Sequence, residues 1–315
     1  RSPEDPPLPE EVPEEPRSAT SGMSPSLASL GGLARQVALL RAGEISAVEL
    51  AELTLRRIES VKSLNAVVTL VEPDRVLEAA RRVDNTADRA SSYDKFPLLG
   101  APITIKDSLD TAGVRTTAGT LGRRDWVPTE DATVVKRLRD AGALLVAKSS
   151  TPELTLAFET TNSIVGRTSN PYDLRRTPGG SSGGAGALVA SGASPLDLGT
   201  DYGGSIRVPS AWCGIAGLKP THGRVPRTGH VLDALAGATE SFQTVGPMAR
   251  RVEDLALAHT VIAGPDGRDP AVTVPFLGDA AASDARPHAT QKNTTPLRVA
   301  VLADALPEPL RCAPT

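Results

Sequence analysis

Aromatic side chains make up only 3% of this 315-residue chain, which carries four histidines and two cysteines. Each scarcity excludes something. With so few rings, the core has to be built from Ala, Val, Leu and Ile, and a 40% hydrophobic share supplies enough of them. Cys213 and Cys312 cannot form a disulfide framework, and the histidines show no metal-ligand spacing. Basic charge is not in excess: 34 Lys and Arg against 37 Asp and Glu leave a net charge of −3, which excludes a broadly basic nucleic-acid binder. No apolar run approaches the roughly 18 residues of a membrane span. A basic segment followed by an apolar one, the secretory pattern, is not seen near Arg1. The expectation is a cytoplasmic protein with no membrane span and no nucleic-acid partner, long enough for one large domain or two ordinary ones.

What is present is ordered along the chain. Residues 1–22 are Pro, Glu and Ser with little to bury, and six acids stand there against Arg1 and Arg17, so a disordered tail is predicted ahead of a domain over residues 23–315. Met23 is the first methionine, so the leader is expected to be a processed, extended or appended segment. Ser46-Ala-Val-Glu49 is a capping box, with Ile45 and Leu50 placed as its hydrophobic staple. Leu50, Leu53, Ile58 and Val61 continue one helical face, and Asn65–Val71 reads as a strand. Strand and helix signals then alternate in the α/β manner. Strands are predicted over Pro102–Ile105, Ala143–Ala147 and Pro195–Leu198, and helices over Asp131–Ala141 (with Gly142 as C-cap) and Val252–Ile262. A Gly/Ser loop, Pro178–Gly184, leads into an Ala-rich helix that stops near Gly192. Residues 264–296 are polar, Leu297–Leu302 reads as a last strand, and no internal repeat is visible.

Two segments could carry chemistry. Gly179-Gly-Ser-Ser-Gly-Gly184 is no Walker loop, since no Gly-Lys-Ser/Thr follows. It matches the G-x-S-x-G nucleophile elbow centred on Ser181 or on Ser182, but it also reads as a plain flexible turn. An elbow should follow a buried strand, whereas Tyr172–Pro178 is polar and Pro-interrupted, which weakens the α/β-hydrolase reading. In Gly199-Thr-Asp-Tyr-Gly-Gly-Ser-Ile-Arg207, Ser205 follows two glycines and precedes a short helix running toward Trp212. That order aims the amides of Tyr202 to Ser205 into one small space, a nest suited to a developing oxyanion; Gly203 and Gly204 would keep side chains away from the substrate carbonyl. An ordinary strand-turn-helix corner is the alternative. A serine nucleophile needs a base. None of His222, His230, His259 and His288 lies in a pattern that assigns it, and Lys106, Lys148 and Lys219 end or follow apolar stretches where burial could neutralise a lysine. Each lysine also reads as an ordinary structural charge.

Those segments, together with Pro97-Leu-Leu-Gly-Ala-Pro-Ile-Thr-Ile-Lys-Asp107, Gly214-Ile-Ala-Gly-Leu-Lys-Pro-Thr221, Gly246-Pro-Met-Ala-Arg250, Val252-Glu-Asp-Leu-Ala256 and Ile262-Ala-Gly-Pro265, occur in the order and spacing of the amidase signature family. The chain resembles that family over residues 28–302. The resemblance implies an α/β/α fold with a large mixed β-sheet covered by helices. It implies a Ser–Ser–Lys triad at Ser205 (nucleophile), Ser181 (bridging Ser205 and the lysine) and Lys106 (neutral base), with a cis peptide at Gly180–Ser181. The implied oxyanion hole is the amides of Tyr202, Gly203, Gly204 and Ser205, supported by Ser182, Asp201 and Arg207, while Lys148 and Lys219 keep structural roles. The reaction implied is amide hydrolysis through an acyl-enzyme, with no metal or organic cofactor, a small-molecule amide as substrate and a homodimer as a further assembly.

Two jobs occur in the family: stand-alone amidase, and glutaminase subunit of a tRNA-dependent amidotransferase. The stretch Thr239-Glu-Ser-Phe-Gln-Thr-Val-Gly-Pro247 resembles stand-alone members, because the glutaminase subunit has an Asp-Gln-Ile-Gly-Pro version there. Outside this chemistry stand an α/β-hydrolase esterase, which would need one of the four histidines, and a non-catalytic protein on the same scaffold. Family members are longer, so a C-terminal truncation is expected. It would leave the edge of Leu297–Leu302 exposed and make residues 23–315 marginally soluble with weak turnover.

Overall fold

The structure, a computed structural model, describes residues 30–86, 89–232 and 240–272. The predicted tail and the predicted strand Leu297–Leu302 lie outside the described residues. In chain order the elements are α1 (Leu33–Ala42), α2 (Ala47–Ser60), β1 (Val67–Leu70), α3 (Pro73–Asp84), α4 (Arg89–Lys95), β2 (Pro102–Lys106), α5 (Thr133–Asp140), β3 (Leu144–Ser149), β4 (Thr161–Asn162), β5 (Gly166–Arg167), α6 (Gly183–Ala190), β6 (Leu196–Asp201), α7 (Arg207–Trp212), β7 (Ala216–Gly217), β8 (Thr244–Ala249) and α8 (Val252–Ile262).

Among the described residues six strands form one mixed sheet in the order β1-β3-β2-β6-β8-β7, and β4 pairs with β5 separately. The neighbours β3, β2 and β6 run parallel, while β1, β8 and β7 pair antiparallel. Every residue of β2, β3, β6 and β8 is buried, as expected of strands covered on both faces. Alternate residues of β3 serve two cores. Leu144 and Val146 join Leu50, Ile58, Val76 and Ala80 of α2 and α3. Leu145 joins Ile103 and Ile105 of β2, Val135 and Leu138 of α5, and Leu255 and Ile262 of α8. The sheet is therefore sandwiched between helical layers, as the resemblance implies.

Helix α2 starts at the predicted capping box: the Ser46 hydroxyl accepts from the Glu49 N–H (3.0 Å) and the Glu49 carboxylate accepts from the Ser46 N–H (2.8 Å). Two further caps come from far along the chain. Asp84 of α3 accepts from the Ala47 and Val48 amides. Asp254 of α8 accepts from the Ala34 N–H (2.8 Å) at the start of α1, which has no cap of its own. Helix α5 begins later than predicted, because the Asp131 carboxylate accepts from the Ala112 N–H and pairs with Arg139 instead of entering the helix. Strand β6 runs past the predicted Leu198 to Asp201, since Gly199, Thr200 and Asp201 continue the ladder against Gly246, Val245 and Thr244. That extension sets the position of the site.

Candidate active site

Lys106 is the last residue of β2, and Thr200 lies near the end of the adjacent β6. The Lys106 Nζ donates to Ser181 Oγ at 2.7 Å and to Thr200 Oγ1 at 2.8 Å. No part of this side chain reaches solvent. Burial pulls its pKa down to about 7, against the opposing pull of the Asp201 and Asp197 carboxylates. A neutral amine is therefore available near neutral pH. Ser181 sits just before α6, and the peptide between Gly180 and Ser181 is cis. Ser182 is tied to the other strand: its hydroxyl contacts the Thr200 carbonyl and accepts from the Thr200 N–H, both at 3.3 Å.

Ser205 lies in the turn between β6 and α7. Asp201 holds that turn, accepting from the amides of Gly204 (3.0 Å), Ile206 (2.9 Å) and Arg207 (3.2 Å) and from the Arg207 guanidinium (2.8 Å). Burial alone would raise the Asp201 carboxyl; the Arg207 guanidinium and the amides of Ile206 and Arg207 outweigh it and hold it below the usual carboxylate range. Gly204 has φ +136, a conformation that favours glycine, whereas a Cβ on Gly203 would meet nothing closer than 3.5 Å.

Two features differ from the sequence expectation. The Gly204 N–H, one of the four amides expected to face an oxyanion, donates to Asp201 instead. Ser181 accepts from Lys106, but no Ser181–Ser205 hydrogen bond forms among the described residues; the Ser205 carbonyl instead accepts from the Ser182 N–H (3.1 Å). Both serines line one cavity of about 410 Å³, whose other walls include Leu156, Phe158, Tyr202 and Leu232.

Lys148 and Lys219 stand apart from that cavity. Lys148 is fully buried, with burial lowering its pKa to about 8, and donates to the Leu109 carbonyl and the Thr111 and Thr116 hydroxyls, which fixes the loop after β2. Lys219 is half-buried. Among the described residues no group of His, Cys, Asp or Glu could hold a metal ion, and no helix is long and apolar enough to cross a membrane.

Sequence reasoning missed three residues here. Thr200 sits inside a quoted motif, but its bond to Lys106 depends on how β2 and β6 register. His230 and Gln243 both line the cavity. His230 is brought there because residues 229–231 pair with residues 108–110, directly after Lys106. No local signal announces that pairing. Burial drives the His230 pKa down to about 3, with Lys106, Arg227 and Arg123 adding to the effect, so the ring is neutral. His222 and His259 are half-buried and do not line the cavity, and His288 lies outside the described residues.

The family model described as Amidase matches residues 49–311. The chain belongs to the amidase family. Its mixed sheet between helical layers is that family's fold. Among curated proteins, this amidase-family chain is 47% identical over 236 residues to the glutamyl-tRNA(Gln) amidotransferase A subunit of Symbiobacterium thermophilum, covering 75% of this chain and 47% of that protein. Among solved structures, a peptide amidase in complex with the inhibitor chymostatin superposes with a TM-score of 0.70 at 36% identity, over 78% of this chain and 50% of that one. The corresponding amidotransferase A subunit of Thermotoga maritima gives a TM-score of 0.63 at 33% identity, over 73% and 46%. The chain spans about half the length of the curated relatives it matches.

Proposed function

We propose that this chain hydrolyses a carboxylic amide to a carboxylate and ammonia or an amine through an acyl-enzyme on Ser205. The observation that carries the reading is the 2.7 Å bond from a fully buried lysine, Lys106, to Ser181, on the cavity that Ser205 also lines. Ser205 Oγ attacks the amide carbonyl while its proton passes through Ser181 to the neutral Lys106. The amides of Tyr202, Gly203 and Ser205 receive the oxyanion. Lys106 returns the proton to the departing nitrogen, and water releases the acyl group by the same relay. For the relay to run, a seated substrate brings Ser205 Oγ within hydrogen-bond reach of Ser181.

Two substrate readings rest on separate observations. Glutamine, as the nitrogen donor of a glutaminase that works with partner proteins in an amidotransferase, is supported by the 47% identity to a protein of that name, and this reading leads. Stand-alone amidase action on small or apolar amides is supported by the Thr239–Pro247 sequence and by the apolar wall of Leu156, Phe158 and Leu232. A histidine-dependent esterase is less well supported: of the described histidines only His230 lines the cavity, and its Nδ1 is engaged by the Leu232 N–H and the Gln243 amide. The test is ammonia release from glutamine and from a panel of small, peptidyl and fatty amides, with Ser205→Ala as control. A fluorophosphonate probe should label Ser205; a label on Ser181 or Ser182 would mean that the nucleophile is misassigned.

A further inference from the structure

One wall of the cavity is a short run of chain with strained backbone. Leu154 and Thr155 have φ +49 and +64, a left-handed turn made without glycine and, at Thr155, with a β-branched side chain. The Leu154 N–H donates to the Ala118 carbonyl at 2.8 Å, and the residues that follow, Thr155 to Phe158, all line the cavity. Their backbone presses on Gly180, where a Cβ would stand 2.8 Å from the Ala157 carbonyl oxygen and 2.9 Å from the Phe158 carbonyl carbon. Phe158 is thus seated on the residue before Ser181, and its side chain reaches the turn that carries Ser205. The ring atoms Cζ and Cε1 lie 3.5 Å and 3.6 Å from where side chains on Gly203 and Gly204 would begin. Among the described residues this ring is all that a Cβ on Gly203 would meet within 4 Å. Phe158 is also 55% exposed, so a molecule entering the cavity can reach its ring. A half-exposed phenylalanine is ordinary in itself. One whose ring edge stands over the glycines of the nest limits what fits there.

We propose that Phe158 is a specificity residue that roofs the nest and admits amides whose acyl carbon next to the carbonyl is an unbranched methylene. The inference rests on the reading of this cavity as an amide-hydrolysing site and narrows its substrate class. With the carbonyl oxygen in the nest, the amide nitrogen has to face Ser181 and Lys106, which return its proton. The acyl carbon is then the substituent left to pass the ring. A CH2 group can lie against the ring edge at the ordinary carbon–carbon distance of about 3.5–4 Å, whereas a second carbon on that atom drives into the ring. The backbone of residues 157–159 is packed on Gly180, so a branch is admitted only by swinging the ring off the nest. Glutamine, whose side-chain carboxamide hangs on a methylene, meets this demand, and so do straight-chain amides. The α-carboxamides of amino acids do not.

The full chain tests this with two isomers, butyramide and 2-methylpropanamide, which differ only in branching at that carbon. Wild type should favour butyramide by about tenfold in kcat/KM. Phe158→Ala should bring the ratio near one by raising turnover of the branched isomer, and Phe158→Leu should fall between. A wild type that hydrolyses both isomers equally well would overturn the proposal. So would a ratio unchanged in Phe158→Ala, or one that falls only because butyramide turnover is lost. A binding arm separates this outcome from the fate of the hydrolase reading. On Ser205→Ala, which lacks the proposed nucleophile, ligand-observed NMR should give a dissociation constant about tenfold lower for butyramide than for its isomer, and equal constants once Phe158→Ala is added. Equal constants without that second change would overturn the proposal. A wild type that hydrolyses neither isomer and takes no fluorophosphonate label on Ser205 would sink the hydrolase reading instead, and the binding comparison would still decide the role of Phe158.

Discussion

Lys106 is the one side chain whose protonation state gates the proposed chemistry. Its base form is needed, and burial brings its pKa to about 7, so turnover should climb as pH rises through about 7 and then level off. Lys106→Ala should lower kcat by about 10²–10⁴-fold. Near-normal rates in that variant would show that the proton goes elsewhere. The same burial makes a stability prediction. Lys106 and Lys148 have folded pKa values of about 7 and about 8, below the unfolded value of roughly 10.4, so the unfolded chain binds more protons at these two sites. Their contribution therefore rises with pH over roughly pH 8–10. Asp197 works the opposite way, since burial raises its pKa to about 7, but its window closes as pH passes 7. Urea denaturation at pH 8 and pH 10 should give the higher stability at pH 10, and Lys106→Met should flatten the difference. Lys106, Ser181 and Ser205 were legible because each stands inside a long ordered motif. His230 was not, because nothing near it in sequence tells of its pairing beside Lys106.

Among the elements, α6 shows how small residues position a site. A Cβ on Gly184 would stand 2.2 Å from the Ser150 nitrogen and 2.8 Å from the Ala66 carbonyl oxygen, both rigid backbone. Gly184→Ala should therefore destabilise the fold by about 3 kcal/mol and displace Ser181, read as a lower melting temperature together with slower fluorophosphonate labelling. An unchanged melt would mean that the helix can move away freely. Helices α2 and α8 were readable from a capping box and an apolar run, and β2, β3 and β6 from short buried apolar stretches. Among the elements that escaped are α3, α1 and β8. In α3 the buried Val76, Ala80 and Val83 are separated by Arg and Glu, which hides the apolar face in a polar segment. Helix α1 takes its cap from a residue of α8, so its start carries no local signal. Strand β8 contains Gly246-Pro247, which reads as a turn; the structure accommodates the proline because only its carbonyl is used, accepting from the Leu218 N–H.

At the scale of the whole molecule, the caps supplied by Asp84 and Asp254 bind early helices to residues far along the chain. Asp254→Ala should cost about 1–2 kcal/mol, and its mark should appear in α1, as faster amide exchange at Ala34 and its neighbours. Exchange quickened only around α8 would refute that link. The sheet order carries a wider consequence. Among the described residues, Lys106 and Thr200 stand on β2 and β6, the two middle strands of six, so no described edge strand can detach and take their bond with it. Loss of activity in denaturant should superimpose on loss of tertiary structure, with no inactive but folded intermediate between them. A turnover assay on this chain is then also a direct gauge of how much of it is folded.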